Sequence, residues 1–320
     1  MDSNSWYDAF IDKLYKKFPK RMLLTKSMMY LLGLEREAVY RRLRKDVLFS
    51  AHEIVKIASA WNISLDEITN INAEQFSFQM RQVNYLDPSK EEIAFLKYVI
   101  QSIGYLKNFP TTEFMDISNK FPRQLLAGYY YLNQFYLFKW MYQYGNDTEV
   151  LPFSQIKISE EKYKLTREYN EVIKLVPNNN FIWDPCIFDF LINDIKYFHS
   201  IYMITDEEKE LIKKDLFNFL DYMLEVANAG CYPETKSKVN IFISQINIDT
   251  NYSYTLSPEA NICFVHVFEK YEIFSFNADM IENFKAWMQM KKRTSIQISE
   301  VDERSRIEFF TTQRRLIETL

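Results

Sequence analysis

Apolar residues in the first 70 positions recur at steps of three and four, the spacing that aligns side chains on one face of an α-helix. One predicted helix has an apolar residue at every fourth position: Trp6, Phe10, Leu14 and Phe18. Pro19 marks its end. After a second apolar run, Gly33 supplies the left-handed turn that a tight helix-to-helix connection requires. Val39 and Leu43 then repeat the four-residue step, which predicts a third helix with these two side chains pointing inward.

Two capping patterns predict the last helices of this region. Ser50 and Glu53 have the three-residue spacing of a capping box, and Ser64 and Glu67 repeat it. We therefore expect residues 1–70 to form a domain of five short helices.

The pattern changes twice in the remaining chain. Residues 71–88 are predicted to be a linker, although the partial alternation of residues 75–85 leaves a strand as the alternative. Residues 89–230 contain long helical patterns without a shared repeat, and the polar run 178–180 is predicted to be a loop after one of these helices. Residues 231–320 begin with strand-like alternation, with a hairpin turn at 249–251. The predicted fold is mainly α, with a helical middle region and a small C-terminal α+β unit of antiparallel strands.

Charge is distributed unevenly along the chain. Residues 11–50 hold eleven Lys or Arg and four acids, a net charge of +7, so the net charge of −4 for the whole sequence leaves −11 elsewhere. Because electrostatic attraction acts over roughly 10 Å, a locally basic module can bind phosphate even on an acidic body. The alternative interpretation is a pair of solvated charged helices.

The same segment carries a recognisable motif. Gly33 is followed six residues later by Val39, the sequence Tyr-Arg-Arg-Leu-Arg occupies positions 40–44, and Asn-Ile-Ser-Leu-Asp-Glu-Ile closes the region at 62–68. Residues 22–68 thereby resemble the five-helix DNA-binding domain of lambda-repressor and Cro-like regulators. The resemblance implies a helix-turn-helix whose second helix enters the major groove.

Two features depart from the family pattern. Met29 stands where the family usually has a small residue, and the recognition helix opens with Glu35-Arg36-Glu37 where Ser or Thr is usual. Carboxylates at the N-terminal end of a helix interact favourably with the helix dipole. In a complex with DNA, however, they would lie near the phosphates and repel them. Glu37 can alternatively accept a hydrogen bond from cytosine N4, which would be direct base readout.

The candidate DNA-binding residues fall into two groups. Candidates for the groove-facing surface are Arg36, Glu37, Tyr40, Arg41 and Arg44. Candidates for phosphate contacts are Lys26, Ser27 and Lys45. Arg42 has two open alternatives, a DNA contact or an ion pair with an acid inside the domain.

The sequence offers little other chemistry. Its three cysteines and three histidines lack the spacing of metal ligands. Its five glycines are too few and too scattered to form a glycine-rich phosphate-binding loop. We therefore expect no metal, no cofactor and no enzymatic activity. Near the C-terminus, Ile307, Phe310 and Ile317 form an apolar stripe that requires a partner in the same chain or in a second subunit.

These observations favour a sequence-specific transcriptional regulator that binds double-stranded DNA. We expect a homodimer whose C-terminal region dimerises, senses a small-molecule or protein effector, or does both. No apolar stretch approaches the roughly 18–20 residues of a membrane span, and the first residues lack a signal peptide, so a bacterial cytoplasmic location without membrane contact is predicted. The alternative is a protein-interaction scaffold that carries a degenerate helix-turn-helix domain.

Overall fold

The computed structural model divides the chain into two units, Met1–Ser77 and Phe78–Leu320. The residues that it describes are 5–61, 63–65, 68, 78–80, 88–121, 123–144, 151–267 and 271–320. The predicted fifth helix and the predicted linker lie partly outside these residues.

The described part of the N-terminal unit contains four α-helices. They are α1 (Ser5–Lys17), α2 (Arg21–Leu32), α3 (Arg36–Leu43) and α4 (Ala51–Trp61). Phe10 and Leu14 of α1 pack with Val39 and Leu43 of α3 in one apolar core, and all four side chains are buried, as their spacing predicted. Trp6 is the exception, since it is among the exposed large apolar residues.

The turn between α2 and α3 depends on Gly33. Its backbone has φ of 67°, a left-handed conformation that glycine adopts without steric cost. The N–H of Gly33 donates to the carbonyl oxygen of Met29 at 2.9 Å and so caps the end of α2. The predicted positive-φ turn is therefore confirmed.

Tyr7 connects α1 to the loop that precedes α4. Its buried hydroxyl accepts a hydrogen bond from the backbone N–H of Phe49 at 3.0 Å and donates to the carbonyl oxygen of Arg42 at 3.3 Å. Burial raises the pKa of this hydroxyl. One side chain thus holds both the end of α3 and the segment that leads into α4.

The C-terminal unit is built around a mixed β-sheet. Its elements in chain order are β1 (Gln79–Met80), α5 (Pro88–Leu106), β2 (Glu113–Ser118), α6 (Arg123–Leu126), α7 (Tyr130–Tyr144), a 3₁₀ turn (Phe153–Gln155), α8 (Glu160–Ile173), β3 (Asn178–Trp183), α9 (Asp189–Ser200), α10 (Asp206–Ala229), β4 (Lys238–Ser244), β5 (Tyr252–Leu256), β6 (Asn261–Val267), β7 (Tyr271–Ser275), α11 (Ala278–Arg293), β8 (Ser295–Gln297) and α12 (Glu303–Glu318). The described strands form one eight-stranded sheet in the order β1-β7-β6-β5-β2-β3-β4-β8. β2, β3 and β4 are parallel neighbours, and the other pairs are antiparallel.

The prediction of a mainly α protein with a small C-terminal α+β unit is therefore wrong. Two central strands, β2 and β3, come from the region 89–230 that was predicted to be helical, and they pair with strands from the last third of the chain. The strands are also not all antiparallel. Short apolar runs that are buried on both faces of a sheet carry no alternation, so their periodicity does not distinguish them from buried helix.

β3 includes the asparagine run that was predicted to be a loop. Asn179 is buried, and its side-chain amide donates to the carbonyl oxygens of Val176 at 2.8 Å and Lys238 at 3.3 Å. Asn180 donates to Oε1 of Glu113 at 3.3 Å. Hydrogen bonds to Lys238, to Glu113 and to the nearby Val176 thus satisfy side chains whose local preference is for turns.

The predicted hairpin at residues 249–251 is also wrong. β4 pairs with β3 and β8, whereas β5 pairs with β2 and β6, so β4 and β5 are not neighbours. Two polar side chains hold the connecting loop: Oδ2 of Asp184 accepts from the N–H of Ile248 at 3.1 Å, and Nδ2 of Asn119 donates to the carbonyl oxygen of Ile248 at 3.0 Å.

Helices cover both faces of the sheet. Residues of α7, α9, α10 and α12 share one apolar core with β3 and β4, and α11 packs on the opposite face. Phe310 and Ile317 of the predicted apolar stripe are buried in the first core, while Ile307 is 56% exposed. Among the helices that the structure describes, none is long and apolar enough to cross a membrane.

We expect Tyr7→Phe to lower the free energy of unfolding of the N-terminal unit by about 1–3 kcal/mol, because the buried N–H of Phe49 loses its acceptor. Thermal denaturation followed by circular dichroism measures this change. Tyr30→Phe is the matched control, since Tyr30 is 94% exposed. Equal stabilities of the two variants would contradict the role given to Tyr7.

Candidate nucleic-acid interface

α3 separates a buried face from an exposed one. Val39 and Leu43 lie on the buried face. The candidates for the groove-facing surface lie on the other side, where Arg36, Glu37, Arg41 and Arg44 are exposed and Tyr40 is half-buried. Of the candidates for phosphate contacts, Lys26 is exposed and Ser27 half-buried on α2, and Lys45 is exposed directly after α3.

Arg36 and Tyr40 form a local pair one helical turn apart. Nη2 of Arg36 donates to the hydroxyl of Tyr40 at 3.1 Å, and the guanidinium lies 5.3 Å from the centroid of the ring. This hydrogen bond lowers the pKa of Tyr40. The guanidinium of Arg36 keeps its positive charge, and its hydrogen bond to Tyr40 holds it in one orientation.

Arg44 contacts two carboxylates. Its Nη2 lies 2.9 Å from Oε1 of Glu37, and its Nε lies 3.4 Å from Oδ2 of Asp46. All three side chains are more than half exposed. Two candidate groove residues are therefore brought together, but as partners of each other.

Lys45 contacts α1. Its ammonium group forms an ion pair with the carboxylate of Asp8, and the hydrogen bond to Asp8 raises the pKa of Lys45. Lys45 also has a left-handed backbone with φ of 69°. A side chain predicted to contact phosphate thus has a counter-charge inside the unit.

Arg42 is directed at α4. Its Nη2 lies 2.9 Å from Oε1 of Glu53, its Nε donates to Oε2 of Glu53 at 3.1 Å, and its Nη1 donates to the carbonyl oxygen of Ala38 at 3.2 Å. Of the two alternatives for Arg42, the structure therefore shows the ion pair inside the domain. The pair is mostly buried, with 18% and 15% of the two side chains exposed.

Glu53 has a second role as a helix cap. Its carboxylate accepts from the N–H of Ser50 at 2.8 Å, and the N–H of Glu53 donates to Oγ of Ser50 at 3.2 Å, which completes the predicted capping box. Burial alone would raise the pKa of Glu53, but the hydrogen bonds from Ser50 and Arg42 outweigh burial and lower it.

Arg41 differs from the other three cations between residues 41 and 45. It is exposed, and within the part of the chain that the structure describes no carboxylate or hydrogen-bond acceptor engages its guanidinium. Arg36 is likewise not paired with an acid there. The cationic groups directly accessible to an anionic ligand on α3 are therefore those of Arg36 and Arg41.

Apart from Glu37, the acids that neutralise the other cations were not predicted as part of the site. Asp46 lies only two residues after Arg44, so their proximity is readable from the sequence. Glu53 is marked by its capping box. No local signal indicates Asp8, because 37 residues separate it from Lys45.

Outside this surface, the histidines, cysteines and acids that the structure describes form no metal-binding group. No group of three or more His, Cys, Asp and Glu side chains among them is arranged to hold a metal ion. His199 pairs with Asp206, whose Oδ1 lies 3.0 Å from its Nε2, at the start of α10. Cys186, Cys231 and Cys263 are all free thiols.

Comparison with protein-family models, curated proteins and solved structures finds no match for this chain.

We expect Arg42→Met to lower the free energy of unfolding by about 1–3 kcal/mol, since it leaves the mostly buried carboxylate of Glu53 without its counter-charge. Arg41→Met is the matched control, and its effect should stay within about 0.5 kcal/mol. Chemical denaturation at pH 7 compares the two.

The same pair of variants gives a pH test. A carboxyl whose pKa is lowered in the folded state stabilises the fold above its unfolded pKa, and this stabilisation is lost as the pH falls. The difference between wild type and Arg42→Met should therefore shrink below about pH 4. A stability difference between wild type and Arg42→Met that is constant with pH would show that Arg42 does not stabilise the fold through its ion pair with Glu53.

Proposed function

We propose that this protein is a bacterial, cytoplasmic, sequence-specific DNA-binding transcriptional regulator, with α3 as the recognition helix in the major groove. The observation that carries the proposal is the exposed pair of guanidinium groups of Arg36 and Arg41 on a helix whose opposite face is buried. Arginine bidentate to guanine is the commonest specific contact in that groove.

The dimensions of the α2–α3 pair support this proposal. α3 has eight residues, a length of about 12 Å, which suits a groove about 12 Å wide. The tight turn at Gly33 sets α2 beside α3, as in helix-turn-helix domains, where the first helix crosses the DNA backbone. Lys26 and Ser27 on α2 are then suited to phosphate contacts.

We expect the affinity for mixed genomic DNA to fall linearly with salt concentration on a logarithmic plot, because bound phosphates release counterions. Arg41→Ala should make this slope shallower by about 1, because one cation that neutralises phosphate is lost. Fluorescence anisotropy at several salt concentrations measures the slope.

Lys56→Ala is the matched control, since Lys56 is an exposed cation on α4 that is not a candidate contact. It should leave the slope nearly unchanged. Weak binding without salt dependence in the wild type would refute the proposal and favour the interaction scaffold.

We further propose that the protein acts as a homodimer through its C-terminal unit, which also offers a surface for an effector. A single small helix-turn-helix module makes a modest interface, whereas two half-sites about 34 Å apart raise affinity and specificity together. Sedimentation equilibrium should show a dimer at tens of micromolar. A strict monomer under these conditions would rule out the two-half-site arrangement.

A further inference from the structure

On the surface proposed to bind DNA, Arg44 is paired with two carboxylates. Glu37 lies in the first turn of α3 and Arg44 at its C-terminal cap, two turns further along the same face. Asp46 approaches Arg44 from the segment after the helix, so the guanidinium contacts one carboxylate through Nη2 and another through Nε. An exposed cation does not need two acids to keep the fold stable, because surface ion pairs contribute little to folding.

We propose that Glu37 and Asp46 form an acid clamp on Arg44 that lowers non-specific DNA affinity and so increases discrimination between sites. The proposal rests on the DNA-binding function proposed above. Non-specific binding is almost entirely the attraction of cations to phosphate. A phosphate that engages Arg44 must displace two carboxylates, and those carboxylates then repel it.

A suitable base sequence offsets the cost of separating Arg44 from its carboxylates, because the bases can bind both the guanidinium and a released carboxylate, whereas phosphate binds only the guanidinium. Guanine offers O6 and N7 to Arg44, and cytosine N4 or adenine N6 offers a donor to the released carboxylate of Glu37. Discrimination through a repulsive element is a general means of specificity. Arg41 has no acid partner among the described residues, so the acid clamp does not weaken the attraction of its guanidinium to DNA phosphates.

The first measurement uses the full-length protein and a fluorescein-labelled mixed-sequence duplex at low salt. Glu37→Gln and Asp46→Asn should each raise the affinity by about two- to fivefold, the range expected for loss of one exposed ion pair. Glu35→Gln is the matched control, because it removes an exposed carboxylate from the N-terminal end of α3 that makes no side-chain cap and no ion pair with the residues that the structure describes. It should give a smaller gain.

The decisive measurement repeats these substitutions in an Arg44→Ala background. If the acids act through Arg44, the gain from Glu37→Gln disappears there, as a double-mutant cycle requires of a coupled pair. An equal gain in both backgrounds would overturn the clamp, since general charge repulsion would then explain it. No gain from either substitution would overturn it as well.

Failure of the clamp can be separated from failure of the proposed function. In the first case the wild type still binds DNA with a salt-dependent affinity, and only the pattern among the variants is wrong. If neither the wild type nor any variant binds DNA in a salt-dependent way, the DNA-binding function itself is refuted, and the clamp with it.

Discussion

The bidentate ion pair between Arg42 and Glu53 is the interaction on which the candidate surface depends. It ties α3 to α4, and the same carboxylate caps α4 through the N–H of Ser50. Because Arg42 is directed at α4 while Val39 and Leu43 are buried, the rotation of α3 about its axis is fixed, and Arg41 lies on the side of the helix opposite Val39 and Leu43. Tyr7 adds a second tie at the end of α3. The exposed face of the helix is therefore a consequence of contacts made on its other faces.

The features that the sequence predicted correctly are those determined by near neighbours in the chain. The capping box of Ser50 and Glu53 on α4, the left-handed turn at Gly33, and the buried pair Val39 and Leu43 all depend on residues within one or two helical turns. A cap or an apolar stripe is complete within the segment that carries it, so its physical basis is visible in the sequence alone.

The sheet was missed because its stability comes from residues distant in sequence. β2 pairs with β5 across more than 130 residues, and Asn180 and Asn179 of β3 donate to Glu113 and to the backbone of β4, both more than 55 residues away. No pattern in the neighbouring sequence predicts such distant partners. The candidate site shows the same limit on a smaller scale, since helical periodicity identified its exposed residues but not Asp8 as the partner of Lys45.

Net charge is therefore a poor measure of how this domain attracts an anion. The net charge of +7 over residues 11–50 implies a strongly basic surface. Arg42, Arg44 and Lys45, however, each have a carboxylate partner inside the unit. The charge that remains accessible on α3 is concentrated at Arg36 and Arg41. A guanidinium without an acid partner contributes little to folding, so the fold does not explain why arginine stands at position 41. The proposed binding to an anionic groove would explain it, and under that proposal the paired cations beside Arg41 restrict where binding is favourable.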